Sequence, residues 1–280
     1  MSGEGEEQPQ GRLVTGLRDF ARTVYDITIT AFWAVLLAVV IRTFAVEPFR
    51  IPSGSMLPGL WVGDYLFVSK YSYGYSRYSF PFGAAESRWN PFRFEGRFLA
   101  GAPERGDVAV FRQPLDPTKD YIKRVIGLPG DRIQVKRRIV YVNGQPLARA
   151  RITGEALAEV QAGVIGQPEH PARAADLEVF RETAPNGRSY VIWQKRGTEE
   201  QLQNNTEEYV VPVGHYFMMG DNRDDSVDSR VLAAVGYVPA QNLIGRAEFL
   251  FFSTDHRAEL WEVHRWLDSI RLSRFFKKIQ

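Results

Sequence analysis

The segment that separates a long apolar run from a β-rich remainder reads Phe49-Arg50-Ile51-Pro52-Ser53-Gly54-Ser55-Met56-Leu57-Pro58-Gly59-Leu60. Pro52 and Pro58 fix φ at their own positions and favour extended backbone at the residues before them. Gly54 permits a tight turn between two serines. The segment therefore presents the hydroxyls of Ser53 and Ser55 on a stiff backbone. A proline-rich turn whose serines bond only their own backbone would have the same composition.

The apolar run occupies residues 24–46, directly before this segment. Its uncharged core, residues 27–41, is fifteen residues long, whereas a membrane span needs about 20. Asp26 and Arg42 can lie at the two interfaces, which makes the full run long enough. We therefore predict one transmembrane helix over 24–46. A cleaved signal peptide would need a small-residue cleavage site, and a buried core helix would show a polar face.

Charge around this helix predicts its orientation. Three arginines precede it and two follow it: Arg12, Arg18 and Arg22, then Arg42 and Arg50. The positive-inside rule therefore favours, by this thin margin, a cytoplasmic tail over residues 1–23, disordered over 1–10. The large C-terminal region would then face the periplasm or the exterior.

Composition excludes several kinds of site. The 280 residues can bury a sizeable core, but they include no cysteine, which excludes disulfides, a thiolate nucleophile and cysteine-bound metals. The four histidines are scattered, so neither a zinc site nor a histidine base is indicated. A net charge of +2 gives no indication of a nucleic-acid partner.

Residues 47–255 predict a mainly β domain. β-branched and aromatic runs predict strands over 64–71, 106–111, 119–131, 131–142, 209–220 and 243–252, with a hairpin turn at Asn143-Gly144. Residues 71–98 predict a long loop at the membrane interface. Residues 148–205 predict an inserted lobe with a helix near 155–161 and a strand over 189–194. The expected fold is an antiparallel, barrel-like catalytic domain on a single transmembrane helix.

The last 25 residues, 256–280, predict a basic amphipathic helix. Its apolar side chains recur with a period of 3.6: Leu260, Val263, Trp266, Leu267 and Ile270. Such a helix could lie on an anionic membrane surface or pack on the domain with a solvated basic face.

Lys123 lies between apolar neighbours in the strand predicted over 120–126. A lysine in this setting usually directs its amine to water at a strand end. Burial would instead lower its pKa from about 10.4 to near 7–8, a change of roughly 4 kcal/mol. A neutral lysine could then accept a proton from a serine hydroxyl in place of a histidine.

The polar loop 220–230 contains four aspartates and two arginines. An EF-hand calcium loop is excluded because the glycine at its sixth position and the closing glutamate are both missing. Asp–Arg pairs that brace a site are the simpler interpretation.

Five segments together resemble, in the same order, the conserved motifs of bacterial type I signal peptidases. They are Pro-Ser-Gly-Ser-Met-Leu-Pro at 52–58, Gly-Asp-Tyr at 63–65, Gly-Asp-Val at 106–108, Tyr-Ile-Lys-Arg-Val-Ile-Gly-Leu-Pro-Gly-Asp at 121–131, and the loop 220–230. The resemblance implies a membrane-bound serine endopeptidase with a Ser/Lys dyad. It would cleave signal peptides from exported preproteins after small residues, as in Ala-x-Ala sites, without a metal or organic cofactor. The implied location is the bacterial inner membrane, as a monomer near the secretion translocon and without a nucleic-acid partner.

The matching positions imply individual roles. Ser55 corresponds to the nucleophile, Lys123 to the general base, Ser53 to the hydroxyl that assists the Ser55 N–H in the oxyanion hole, and Ser226 to the hydroxyl that orients the lysine ammonium. The structural support would come from Asp228, Arg230, Asp221 and Arg223. The shallow substrate pockets would be lined by Ile51, Leu60, Tyr121 and Ile122. Residues 120–122 would pair with the substrate as an added strand.

Two departures and two alternatives remain at this point. Residues 231–237 are longer and more aliphatic than is usual in the family, and Gly59 stands where threonine is common. A relative of the self-cleaving SOS repressors would share the Ser/Lys chemistry, and a membrane-tethered β-domain could bind exported chains without cutting them.

Chain length gives an independent constraint on the position of Ser55. The nine residues from Val46 to Ser55 span at most about 30 Å, which keeps Ser55 near the membrane.

Overall fold

The structure, a computed structural model, describes residues 9–80, 96–165, 176–255 and 269–280, of which 9–17 and 163–165 as backbone only. Its contacts divide the chain into two compact units, Met1–Arg42 and Thr43–Gln280. Part of the loop predicted over 71–98 and of the helix predicted over 256–280 therefore lies outside the described residues.

The described part of the first unit is helix α1, Pro9–Phe44, whose last two residues are counted in the second unit. Its stretch Arg18–Phe44, 27 residues, is long and apolar enough to cross a membrane. The helix begins well before the predicted residue 24, which marks where the sequence becomes apolar and not where helical backbone starts. It ends at Phe44 and not at the predicted residue 46, because Val46 already pairs in a strand.

The second unit is mainly β, as predicted. In chain order the described strands are β1 (Val46–Arg50), β2 (Asp64–Ser69), β3 (Val108–Arg112), β4 (Asp120–Gly127), β5 (Arg132–Lys136), β6 (Ile139–Val142), β7 (Gln145–Pro146), β8 (Ala148–Arg151), β9 (Leu177–Thr183), β10 (Ser189–Lys195), β11 (Tyr209–Val210), β12 (His215–Met219), β13 (Val238–Pro239) and β14 (Leu243–Ser253). Together they form three sheets with antiparallel pairing between neighbours.

The largest sheet has seven strands in the order β1-β2-β14-β3-β4-β12-β13. Strand β1 was not predicted, because Pro48 is unfavourable in a sheet interior; at this edge position its missing N–H costs no ladder bond. Strand β4 pairs with β3 along Asp120–Arg124, whereas β12 joins its other side only from Arg124 onward. Within the part of the chain that the structure describes, residues 120–123 of β4 therefore have one edge without a neighbouring strand of the sheet.

The sequence interpretation needs one correction between β5 and β6. Residues 131–142 were predicted as a continuous strand, but Arg137 and Arg138, with φ of 46° and 69°, form a turn between two strands. This left-handed turn normally selects Asn and Gly, so two arginines gave no signal for it. The hairpin turn predicted at Asn143-Gly144 is confirmed between β6 and β7, with φ of 51° and 79°.

The lobe 148–205 contains the three-stranded sheet β10-β9-β8 and helix α2, Glu155–Ile165. The predicted helix and the predicted strand over 189–194 are confirmed, whereas β8 and β9 were not predicted. A cluster of buried side chains, Val179, Trp193, Leu177 and Leu57, joins the lobe to the segment that follows Ser55.

The described part of the predicted C-terminal helix, residues 269–280, is not an extended helix. A 3-10 turn at Leu272–Arg274 precedes a stretch that pairs with β14, through Phe276 N–H to Leu250 O (2.8 Å) and Ile279 N–H to Glu248 O (2.9 Å). The physical reason is Arg274, which is buried against the Asp64 carboxylate. This ion pair and the sheet pairing override the helical periodicity.

Candidate active site

The segment around Ser55 forms a short turn held at both ends. Residues Gly54–Met56 form a single 3-10 turn, closed by a hydrogen bond from Leu57 N–H to Gly54 O (3.1 Å). Before the turn, Ile51 N–H donates to Asp64 O (2.8 Å). Since the first N–H groups of a helical turn have no partner within it, the Ser55 N–H is left available for an acceptor outside the turn.

Ser53 is positioned differently from Ser55, two residues away. Its backbone is extended (φ −135°, ψ 157°), its side chain is exposed, and it makes no capping hydrogen bond to the turn. Ser55 is 9% exposed. Ser53 therefore lies at the solvent-exposed start of the turn, directly before the residues whose N–H groups have no partner within the turn.

Lys123 contacts the Ser55 hydroxyl directly. Its Nζ atom lies 2.6 Å from Ser55 Oγ and 3.0 Å from the Ile122 carbonyl oxygen. The Tyr121 ring centroid is 5.4 Å from Nζ, and the lysine is only 4% exposed. The strand therefore holds the lysine amine against the hydroxyl and away from water.

The environment also changes the proton affinity of this amine. Burial lowers the pKa of Lys123 to about 8, although the carboxylates of Asp228 and Asp221 oppose part of this effect. Near neutral to mildly alkaline pH a substantial fraction of the amine is neutral, and a neutral amine can accept the Ser55 proton.

The Asp–Arg pairs predicted from the loop 220–230 are only partly as expected. Asp228 and Arg230 do pair, at 2.8 Å, and both side chains are fully buried. Burial alone raises the pKa of Asp228, but the Arg230 guanidinium, the Gly220 N–H and the Ser226 side chain together more than offset it, so the pKa is lowered. Asp221 instead pairs with Arg124, in two parallel bonds of 2.7 and 2.6 Å.

The remaining member of the predicted set, Arg223, pairs with Glu182 of the lobe. Glu182 was not singled out from the sequence, because an isolated glutamate in an irregular region carries no motif. The same holds for Asn222, whose backbone N–H donates to Ser55 O (3.2 Å) and whose Nδ2 donates to Gly54 O (3.1 Å).

Gly220 brings the loop against the nucleophile turn. A Cβ atom at this position would clash with Ser226 and with the Ser55 carbonyl oxygen. Only glycine fits this close approach. Ser226 is thus placed beside the site, where its side chain helps to lower the pKa of the Asp228 carboxyl. Within the described residues, the predicted hydrogen bond between its Oγ and Lys123 is not formed.

The predicted pocket residues fall into two groups. Ile51 and Leu60 belong to one buried cluster with Met56, and Ile122 packs against it. Tyr121 packs against a different cluster that includes Phe111 and Val125. Ile51, Leu60 and Ile122 therefore lie in one apolar cluster next to Ser55. Tyr121 belongs to the other cluster and borders the site from there.

Comparison with known proteins places this chain in a class of peptidases. Residues 24–252 match the family model described as signal peptidase, peptidase S26. A signal peptidase I from Rickettsia typhi is 39% identical over 88% of this chain and 90% of its own length, and one from Rickettsia prowazekii is 38% identical over the same shares. A solved signal peptidase I from Enterococcus faecalis V583 aligns with 52% of this chain and 96% of its own, at 24% identity and a TM-score of 0.28.

The chain belongs to the signal peptidase I family. It is accordingly a serine protease that cleaves signal peptides from preproteins. This membership favours a signal peptidase over the relative of self-cleaving repressors considered from the sequence.

Proposed function

We propose that the enzyme cleaves exported preproteins after small residues with Ser55 as nucleophile and Lys123 as general base. The observation that carries this proposal is the 2.6 Å separation between Ser55 Oγ and a buried Lys123 Nζ whose pKa is lowered to about 8. A hydroxyl and a largely desolvated amine at this distance are the two parts of an activated nucleophile.

The reaction follows from this geometry. Neutral Lys123 takes the proton of Ser55 as Oγ attacks the scissile carbonyl carbon. The developing oxyanion accepts hydrogen bonds from the Ser55 N–H and the Ser53 hydroxyl, and the Lys123 ammonium then returns the proton to the leaving amine. Lys123, again neutral, takes a proton from the water that attacks the acyl carbon. The Lys123 ammonium then gives this proton to Ser55 Oγ as the ester bond breaks and the carboxylic acid product leaves.

The substrate would bind as an extended strand along the uncovered edge of β4 at residues 120–122. The surface formed by Ile51, Leu60 and Ile122 would face the side chains next to the cleavage site. Because Ile51 and Leu60 are already almost fully buried, little space is left for a large substrate side chain. This supports a preference for Ala-x-Ala sites.

The test is cleavage of a purified preprotein with an Ala-x-Ala site by the wild-type enzyme and by Ser55→Ala and Lys123→Met. We expect both variants to lose activity by about 10⁴-fold or more. Equal cleavage by either variant would reject the dyad, and no cleavage of this substrate by the wild type would reject the preference for Ala-x-Ala sites. A large residue in place of the alanine before the scissile bond should abolish cleavage.

Helix α1 would anchor this domain in the membrane. Its apolar side chains, such as Phe32, Trp33 and Leu37, are about 60% exposed, and a lipid bilayer would cover them. We propose a single-pass protein of the bacterial inner membrane with a cytoplasmic N-terminus and a periplasmic catalytic domain, acting as a monomer near the translocon. Added protease should digest the catalytic domain from the periplasmic side only; protection there would reverse the orientation.

A further inference from the structure

The lobe 148–205 contacts the active-site loop through the backbone of β10. Trp193 N–H donates to Asp221 O, and Arg223 N–H donates to Trp193 O, both at 3.1 Å. These two bonds pair Trp193 in parallel with Asn222. Asn222 therefore lies at a fixed position between the lobe and the Ser55 turn.

A buried ion pair reinforces this junction. Glu182 on β9 and Arg223 are each 1% exposed. Arg223 Nη1 donates to Glu182 Oε2 at 3.0 Å, and its Nη2 donates to Oε1. The Tyr190 hydroxyl also donates to Oε1, at 2.9 Å, and Arg223 Nε donates to Gly220 O at 3.2 Å. The Glu182 carboxylate of the lobe thus fixes the Arg223 side chain, which in turn bonds back to the Gly220 carbonyl oxygen of the loop.

The same junction reaches both residues of the proposed dyad. On the serine side, Asn222 bonds Ser55 O and Gly54 O, and Leu57 packs on Trp193. On the lysine side, the Arg124 guanidinium stacks over the Tyr190 ring at 4.1 Å, and Arg124 adjoins Lys123 in β4.

We propose that Glu182 is a positioning residue of the active site, which through Arg223 and Asn222 holds the Ser55 turn at hydrogen-bond distance from Lys123. This proposal rests on the dyad proposed above. The lobe is then a structural part of the catalytic centre, and its role is to hold the loop 220–230 against the nucleophile. A displacement of reacting groups by about 1 Å can reduce turnover by about 10²-fold.

The test compares Glu182→Gln with Glu178→Gln, measuring kcat and KM on the Ala-x-Ala preprotein. Glu178 is a matched control, because it lies on the same face of β9 and pairs with Arg138 (2.9 Å) and Arg151 (3.1 Å), not with the loop 220–230. We expect Glu182→Gln to lower kcat by about 10-fold to 100-fold with KM within about twofold, and Glu178→Gln to leave both unchanged. An unchanged kcat in Glu182→Gln, or an equal loss in both variants, would overturn the proposal.

A double variant, Glu182→Leu with Arg223→Met, separates positioning from folding. Replacing both partners of a buried ion pair with apolar residues often preserves stability, whereas removing one leaves an uncompensated charge. We expect a melting temperature near that of the wild type together with a kcat reduced at least as much as in Glu182→Gln. A stable double variant with wild-type kcat would reject the proposal. This outcome is decisive even if the single variant Glu182→Gln does not fold. Absence of cleavage by the wild type would instead refute the proposed function.

Discussion

The nucleophile segment, residues 51–60, and strand β4 hold their active-site side chains by different means. The turn that carries Ser55, Gly54–Met56, is closed by its own backbone, and Asn222 only sets where that turn lies. Lys123 is held by its surroundings, which bury it and lower its pKa to about 8. The two residues are 68 positions apart in sequence. Local chain chemistry thus forms the turn that presents the hydroxyl, whereas a neutral lysine requires a folded core around it.

The largest effect expected from this comparison concerns the nucleophile segment. Ser53→Ala should lower kcat by about 10²–10³-fold, because it removes one donor to the oxyanion. Its melting temperature should not change, since Ser53 is exposed and caps nothing. Measuring kcat and thermal unfolding together tests this, with Ser273→Ala, at an exposed serine of the C-terminal turn, as control. A wild-type kcat in Ser53→Ala would mean that the Ser53 hydroxyl does not stabilise the oxyanion and that, in this segment, the Ser55 N–H is its donor.

The next effect concerns the cost of burying Lys123. Its pKa falls from 10.5 to about 8 on folding, so between these values the unfolded chain binds more protons and stability rises with pH. Below about pH 8 the folded protein carries the full penalty, about 3 kcal/mol. Lys123→Met should therefore be more stable than the wild type by about that amount at pH 7, and the difference should vanish near pH 10.5.

Denaturant unfolding of the two proteins at pH 7 and pH 10 measures this difference. Lys119→Met is the matched control, because the Lys119 side chain is 67% exposed and substitution there should change stability by less than about 0.5 kcal/mol. A Lys123→Met variant less stable than the wild type at pH 7 would mean that the lysine side chain contributes to stability and is not a strained catalytic group.

The smallest step, about tenfold per pH unit, is the pH dependence of kcat/KM. Because only the neutral amine accepts the Ser55 proton, kcat/KM should rise about tenfold per pH unit up to about pH 8 and then level off. Initial rates on a preprotein between pH 5.5 and 10 give the profile. A limb centred near the ordinary lysine pKa would contradict the burial of Lys123 in the working enzyme.

Much of the architecture could be predicted from local patterns. The apolar run predicted helix α1, and Asn143-Gly144 predicted its hairpin because those residues suit positive φ. The turn at Arg137–Arg138 was not predicted, since its conformation is imposed by the pairing of Ile133 with Val142. Residues 269–280 follow the same rule: their helical pattern yields to the pairing with β14 and to the Arg274–Asp64 ion pair.

The sequence by itself determined the stiff Ser53-Gly54-Ser55 segment, the apolar helix before it and the motifs that indicate the family. These depend on residue type and short spacing, which act through local backbone preferences. Only the tertiary structure decided that Lys123 is buried against Ser55, that Asp221 pairs with Arg124 and not with Arg223, and that Glu182 takes that place. Each of these depends on which strands lie side by side, and burial and charge pairing arise between residues that the chain itself keeps far apart.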